Sequence, residues 1–333
     1  MCGCLSRSFG IDGVAMDMEE KMVQKKIQHR EPGILTYGIT PPKAGQPEEK
    51  IREIAERQME RINQLKLDAL ILYDIQDEQE RTSAERPFPF MKTMDPGEYS
   101  QKYLQRLSVP HIIYRCVGKY TREELQMCMQ GQEHEPVYSV FVGASSADQK
   151  VRMSLAEAYE LAREISSPFC LGGVTIPERH QLKTDEHVRT IRKMDRGCRF
   201  FVSQAVYNVE ASKNFLSDYY YSCVENERPM APMIMTLTPC GSKKTLEFMK
   251  WLGVSIPRWL ENELLHSRDI LDRSIHFCLQ AFEELFQFGM EKGIPIGCNV
   301  ESVSVKKVEI EASIQLAKDI SDLMNARIHQ PHE

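Results

Sequence analysis

Residues 169–206 read FCLGGVTIPERHQLKTDEHVRTIRKMDRGCRFFVSQAV, and the way this stretch divides decides the fold. Phe169–Ile176 and Phe200–Val206 are short runs rich in β-branched and aromatic residues, the composition of buried strands. Between them Val188–Met194 carries apolar residues at helical spacing, opened by Thr184-Asp185-Glu186, a good start signal for a helix. Two strands with a helix between them form a parallel unit, because parallel neighbours need a crossover and a helix supplies it.

The same alternation recurs in both directions. Strand-like runs occur at Ile34–Ile39, Ala69–Ile75, His111–Val117, Val137–Gly143, Met233–Leu237 and Ile296–Val303. Ile51–Leu65 places apolar residues at Ile51, Ile54, Ala55, Met59, Ile62 and Leu65, and Leu155–Ile165 follows the capping residue Ser154. Eight β/α units in about 300 residues is the count that closes a barrel, so the expected class is α/β, a (β/α)8 TIM barrel. An open doubly wound sheet is the alternative. The long interval from Leu237 to Ile296 holds Trp259–Leu264 and Ile270–Met290, which predicts an extra helix before strand eight. Residues 1–32, with the charged run Glu19–Arg30 and the ending Glu31-Pro32-Gly33, read as a flexible N-terminal extension. The barrel is expected over 33–325, with a tail over 326–333.

Composition narrows the function classes. The 333 residues are 42% hydrophobic and 27% charged, which excludes a disordered or fibrous chain. The net charge of −6, without a basic block, argues against a nucleic-acid partner. No apolar run approaches the roughly 18–20 residues that span a bilayer, and no signal sequence opens the chain, so a cytoplasmic protein without a membrane partner is expected. The 10 cysteines are scattered and read as reduced, mostly core thiols; Cys2 and Cys4 read as part of a tail rather than as acylation or metal sites, since no second ligand pair follows.

In a barrel of this kind the working residues sit at the C-terminal ends of strands. Those ends supply Thr40-Pro41-Pro42, Tyr73 to Asp77, Arg115, Gly143 to Ser146, Pro177 to His180, Gln204 with Tyr207, Thr238-Pro239, and Asn299 with Glu301. Asp74 to Glu78 has carboxylates, but no second cluster at ligand spacing accompanies it, and no metal is expected.

Several segments carry a resemblance. Ile176-Pro177-Glu178-Arg179-His180 resembles a Pro-Glu-x-His loop after strand five. Arg192 to Phe200, followed by Val202-Ser203-Gln204-Ala205-Val206-Tyr207, is similar to a Lys-x-x-x-Gly-Ala-Asp-Phe stretch leading into a Gln-Tyr-Phe strand. Trp251 to Leu260 resembles a helix followed by Ile-Pro-x-Trp. In this order and spacing they resemble the methylenetetrahydrofolate reductase family, flavin-dependent barrel enzymes of one-carbon metabolism and methionine biosynthesis, from about Gly33 to Leu316. The resemblance implies FAD and NAD(P)H as cofactors and a folate-type small molecule as substrate. It puts Gln204 against the pterin, Tyr73, His111 and His180 against flavin, Arg192 and Lys193 on the cofactor's phosphates or ribityl chain, and Gly143 in the flavin site.

The departures from that family bear on chemistry. Its first strand ends in Ser-Phe-Glu-Phe-Phe-Pro-Pro, whose glutamate protonates the folate, whereas this chain reads Thr36-Tyr37-Gly38-Ile39-Thr40-Pro41-Pro42. Its Leu-Arg-Gly-Asp after strand four becomes Phe141-Val142-Gly143-Ala144, with only the glycine kept. Asp74, Asp77, Glu78, Glu178 and Glu301 are candidates for a relocated acid. Glu301 leads, because strand eight neighbours strand one in a closed barrel and its carboxylate would reach the space left at Gly38. The expected activity is NAD(P)H-dependent reduction of 5,10-methylenetetrahydrofolate, with Glu301 as the acid. The alternatives are an enzyme acting on another folate or pterin, and a folate- or partner-binding pseudoenzyme. The apolar set Leu260, Leu264, Leu265 and Ile270 is a candidate homo-oligomer contact or a cover for the barrel.

Overall fold

The computed structural model describes residues 22–77, 84–130, 136–144, 149–166, 168–183 and 185–329. Eight parallel strands close on themselves in chain order. They are β1 Leu35–Ile39, β2 Ala69–Leu72, β3 His111–Cys116, β4 Val137–Val142, β5 Phe169–Thr175, β6 Phe200–Ala205, β7 Met233–Leu237 and β8 Ile296–Glu301. Every strand falls inside one of the eight apolar runs, and the ring closes where Gly38 of β1 pairs with Glu301 of β8.

A helix at 22–29 (α1) precedes β1. The outer layer then comprises α2 Glu48–Ile62, α3 Pro96–Tyr103, α4 Arg122–Met129, α5 Leu155–Glu164, α6 Pro177–Lys183, α7 Glu186–Asp195 and α8 Val209–Glu225. It is completed by α9 Lys243–Trp251, α10 Arg258–His266, α11 Ile270–Lys292 and α12 Lys307–Ile328. Ser154 caps α5 with a capping box to Glu157, as its sequence requires. The long interval before β8 holds two further helices, α10 and α11. Leu260 and Leu264 are fully buried in the chain's own core, so these two residues serve as barrel cover.

Alternation along the strands divides the core in two. Tyr37, Leu70, Leu72, Phe141, Phe201 and Met235 join the core between barrel and helices. Ala69, Ile71, Ile112, Tyr114, Val140, Phe200 and Val202 form a second core inside the barrel. Gly172 makes room for this filling, since a Cβ there would lie 2.5 Å from the Phe200 ring.

The extension expected to be flexible is partly built into the fold. Val23 and Ile27, four residues apart on one face of α1, join Ile34 in the inner core. Lys26 Nζ donates to Asp68 Oδ2 at 2.8 Å and to the Gly33 carbonyl at 3.0 Å, while Asp68 also accepts from the Leu35 N–H at 2.8 Å. Gly33, at φ +83°, turns the chain from this plug into β1. Residues 1–21, with Cys2 and Cys4, lie outside the described residues. At the other end α12 continues through the start of the expected tail to Ile328, anchored by buried Met324. No described helix is long and apolar enough to cross a membrane.

Candidate functional site

The C-terminal ends of the strands form a polar mouth above the apolar filling. Asn299, inward on β8, is fully buried and accepts at Oδ1 from Thr36 Oγ1 at 3.0 Å. Its Nδ2 donates to Tyr73 Oη at 2.8 Å and to Thr236 Oγ1 at 3.3 Å. Tyr73, just past β2, packs edge-on against Tyr114 at 4.8 Å, with the Glu301 carboxyl beside its hydroxyl. A hydrogen-bonded chain thus runs from Thr36 through Asn299 to Tyr73, next to Glu301.

Glu301 is half-buried at the end of β8. Burial pushes its carboxyl up to about 7, and the Tyr73 hydrogen bond opposes that shift. The rise is physically reasonable, because its neighbours are phenols and an amide, and loss of hydration disfavours the carboxylate. Tyr73 and Tyr114 are pushed well above the ordinary phenol range, first by burial and then by the Glu301 charge. The group that titrates near neutrality is therefore the acid, with the Tyr73 phenol beside it.

The space above Gly38 is not left to the carboxylate alone. A Cβ at Gly38 would lie 2.6 Å from Tyr73 Cε2 and 2.9 Å from its oxygen, so the Tyr73 ring occupies the room above that residue. Gly38 and Tyr73 are thus a matched pair: any side chain at 38 would have to displace the phenol beside Glu301.

Gln204 lies at the end of β6, beside an irregularity in the ladder. The β6–β7 register shifts between Val202 and Ala205. Ser203 Oγ there takes the Thr236 N–H at 2.8 Å, and Thr236 Oγ1 donates to the Ser203 carbonyl at 2.7 Å. Irregularities of this kind re-aim side chains. Gln204 Nε2 donates to the Leu252 carbonyl at 2.8 Å, which fixes the amide plane and leaves one N–H and the carbonyl oxygen for a ligand.

A second raised acid lies at the rim. Glu178, in the first turn of α6 directly after β5, is buried with no hydrogen-bond partner at either oxygen among the described residues. Burial raises it to about 8, with the Glu186 charge adding to the effect. Asp74, by contrast, is tied into structure: its carboxylate accepts from the Cys116 N–H at 2.8 Å and from Lys119 Nζ at 2.5 Å. Arg115 pairs with Asp95 at 3.1 Å. Asp77 is exposed, while Glu78, Ser145 and Ser146 lie outside the described residues.

The residues that the resemblance assigned to flavin converge only in part. Tyr73 and Gly143 are at the mouth, where the Gly143 carbonyl accepts from Gln76 Nε2 at 3.1 Å. His111 is the first residue of β3, roughly 16 Å of strand rise below the mouth. Its Nδ1 is 2.6 Å from Ser100 Oγ, and burial lowers its pKa to about 4. The expectation that it joins the mouth is corrected: a residue that opens a parallel strand belongs to the opposite end. His180 also leaves the mouth, its Nε2 lying 3.0 Å from Asp218 Oδ2 in the middle of α8. Arg192 is exposed on α7. Lys193, lowered by burial, places its ammonium on the Val174 carbonyl. Ala144 stands where the family has an acid. A groove of about 620 Å³ between Glu85, Arg86, Pro87 and the start of α9 is lined by none of these mouth residues.

Against this geometry the comparisons are specific. The family model for methylenetetrahydrofolate reductase matches residues 143–295. A solved structure of an uncharacterized protein from Clostridium thermocellum, which binds two copies of 5-methyl-5,6,7,8-tetrahydrofolic acid, is 53% identical. It covers 90% of this chain and 99% of its own, with a TM-score of 0.81. The chain belongs to the methylenetetrahydrofolate reductase family. Its (β/α)8 barrel is the fold expected of a methylenetetrahydrofolate reductase relative. Dihydropteroate synthase from Xanthomonas albilineans aligns at 9% identity over 90% of this chain and 94% of its own, with a TM-score of 0.45. The Thermus thermophilus enzyme aligns at 12% over 90% and 95%, with a TM-score of 0.44. Neither likeness carries an argument. No curated protein matches the chain.

Sequence reasoning named Tyr73, Gln204, Gly143, Asn299 and Glu301 at the mouth but missed Thr36 and the hydrogen bonds that join it through Asn299 to Tyr73. The signal was available, since Thr36 and Asn299 are polar residues inside otherwise apolar strands, and such residues need internal partners.

Proposed function

We propose that the barrel mouth binds a reduced folate and that the protein reduces the methylene bridge of 5,10-methylenetetrahydrofolate with NAD(P)H. The observation that carries this reading is Glu301: a carboxyl at the mouth, beside Tyr73 and raised to about 7, on the strand that pairs with Gly38, where the family's acid would stand. Its proton goes to the bridging nitrogen, the carbon–nitrogen bond breaks, and the resulting iminium accepts hydride from the nicotinamide at its carbon. The products are 5-methyltetrahydrofolate and NAD(P)+. That the 53% identical relative binds 5-methyltetrahydrofolate, the product of such a step, supports the reading. Gln204 receives the pterin edge with its free carbonyl oxygen and remaining N–H, while Asn299 fixes the Tyr73 phenol beside the acid.

Hydride passing directly from nicotinamide to folate accords with the scattered flavin residues. The test is an absorbance spectrum of the purified protein together with NAD(P)H oxidation in the presence of methylenetetrahydrofolate. A colourless protein that oxidises NAD(P)H is the expected result, and a yellow active one would restore FAD. The scatter of those residues also favours a second reading, a folate-binding protein without turnover. A colourless protein that binds 5-methyltetrahydrofolate and oxidises no nicotinamide would replace the reductase reading with that one.

A further inference from the structure

Outside the mouth, α6, α7 and α8 bring two histidines and a carboxylate together. His180 on α6 is 3% exposed, and its Nε2 lies 3.0 Å from Asp218 Oδ2 on α8. His187, in the first turn of α7, sets its ring edge-on to His180 with centroids 5.2 Å apart. One donor atom from each of the three residues lies within 4.8 Å of the others.

A second observation concerns unmet bonding. Nδ1 of His180 and Nδ1 of His187 are both buried and have no hydrogen-bond partner among the described residues. A neutral imidazole carries one N–H and one lone pair, so two adjacent rings cannot both be satisfied by one carboxylate. An unpaired buried polar atom is costly, and the cluster carries two. His–carboxylate hydrogen bonding alone leaves that cost standing. A cation that accepts a lone pair from each ring replaces the shared proton between His180 Nε2 and Asp218 and draws in the His187 ring, which has no hydrogen bond at Nδ1 among the described residues.

We propose that His180, His187 and Asp218 form a zinc-binding site that ties the turn after β5 to α8. Two imidazoles and one carboxylate suit Zn2+, whereas Mg2+ and Ca2+ prefer sets made wholly of oxygen. Bonds of about 2.0–2.1 Å in a tetrahedron put ligand atoms about 3.3 Å apart. The His180–Asp218 pair is already near that spacing, so the closure falls to His187 and to Asp218, whose side chain is 52% exposed. That exposure leaves the fourth position to water. His180, which the resemblance assigns to a cofactor, here serves the helix layer instead.

The test is titration of the full-length, metal-stripped protein with ZnCl2 by calorimetry, with MgCl2 as control, and with Co2+ as a spectroscopic substitute. One equivalent of Zn2+ bound, a higher melting temperature with Zn2+ but not Mg2+, and Co2+ d–d bands without a thiolate charge-transfer band are expected. His187→Ala and Asp218→Asn should each weaken Zn2+ by tenfold or more; His187 and Asp218 are partly exposed, and Asp218→Asn changes only one atom should His187→Ala fail to fold. Absence of Zn2+ binding, thiolate bands, or unchanged affinity in the folded variants would overturn the proposal.

Discussion

At the lower end of the barrel, Val23, Ile27 and Ile34 close the interior with apolar side chains, and the charge buried there, Asp68, is met by Lys26 and a backbone N–H. At the upper end the same strands finish in Asn299, Tyr73, Glu301 and Gln204, and two carboxyls, Glu301 and Glu178, are held protonated toward neutral pH by burial. The plug pairs its buried carboxylate with a cation and so contributes stability. The upper end buries acids among neutral groups and holds an amide with bonding capacity to spare, which costs stability and is useful only to a ligand.

The sharpest way to break that contrast is at Glu301. On the reductase reading, Glu301→Gln should lower turnover by about 10²–10⁴-fold, the usual worth of a general acid. Binding of 5-methyltetrahydrofolate should change little, and a mutant with normal turnover would remove Glu301 from the chemistry. In the wild type, turnover should fall as pH rises through about 7, because the carboxyl then loses the proton it must give.

The lower end is tested by Ile27→Ala. Deleting its buried side chain from the plug should cost about 2–4 kcal/mol in urea denaturation, with folate binding unaffected. A loss below about 0.5 kcal/mol would mean that α1 is dispensable to the core. Gln204→Ala should weaken folate binding by roughly 1–3 kcal/mol by calorimetry without changing the melting temperature much. An equal loss of stability would make Gln204 an anchor for the Leu252 carbonyl instead.

A further effect depends on pH. Glu178 and Glu301 have folded values above the 4.5 of the unfolded chain. Below about 4.5 both states hold the protons and neither group affects stability. Above it the unfolded chain ionises while the folded one does not, so stability falls with rising pH until about 7 for Glu301 and about 8 for Glu178. Glu178→Gln should therefore gain melting temperature relative to wild type between about pH 5 and about pH 8.5. A constant difference across that range would mean that Glu178 is not buried as an acid.

Much of this was legible in the chain. Strand positions could be read because a parallel strand is covered on both faces, so each appears as a continuous apolar run such as Met233–Leu237, which matches β7 residue for residue. Glu301 opposite Gly38 followed from barrel closure alone. The position of His111 was legible too, since a strand's first residue lies at the lower end, but the family resemblance pointed elsewhere. His180 was not legible: whether a residue in the loop after β5 faces the mouth or α8 depends on how α6 is tilted, and local sequence does not encode that tilt.

Periodicity by itself determined the eight β/α units and their order, because these depend on short-range alternation of apolar and polar residues, and the motifs from Ile176 to Leu260 pointed to the family. Only the tertiary structure decided that α1 plugs the barrel, that the Tyr73 ring fills the room above Gly38, and that His180, His187 and Asp218 meet. Each of those joins elements far apart in the chain or set at angles the local pattern leaves open. Their contacts depend on the direction in which side chains leave packed elements, which is settled only when the barrel and its helices pack together.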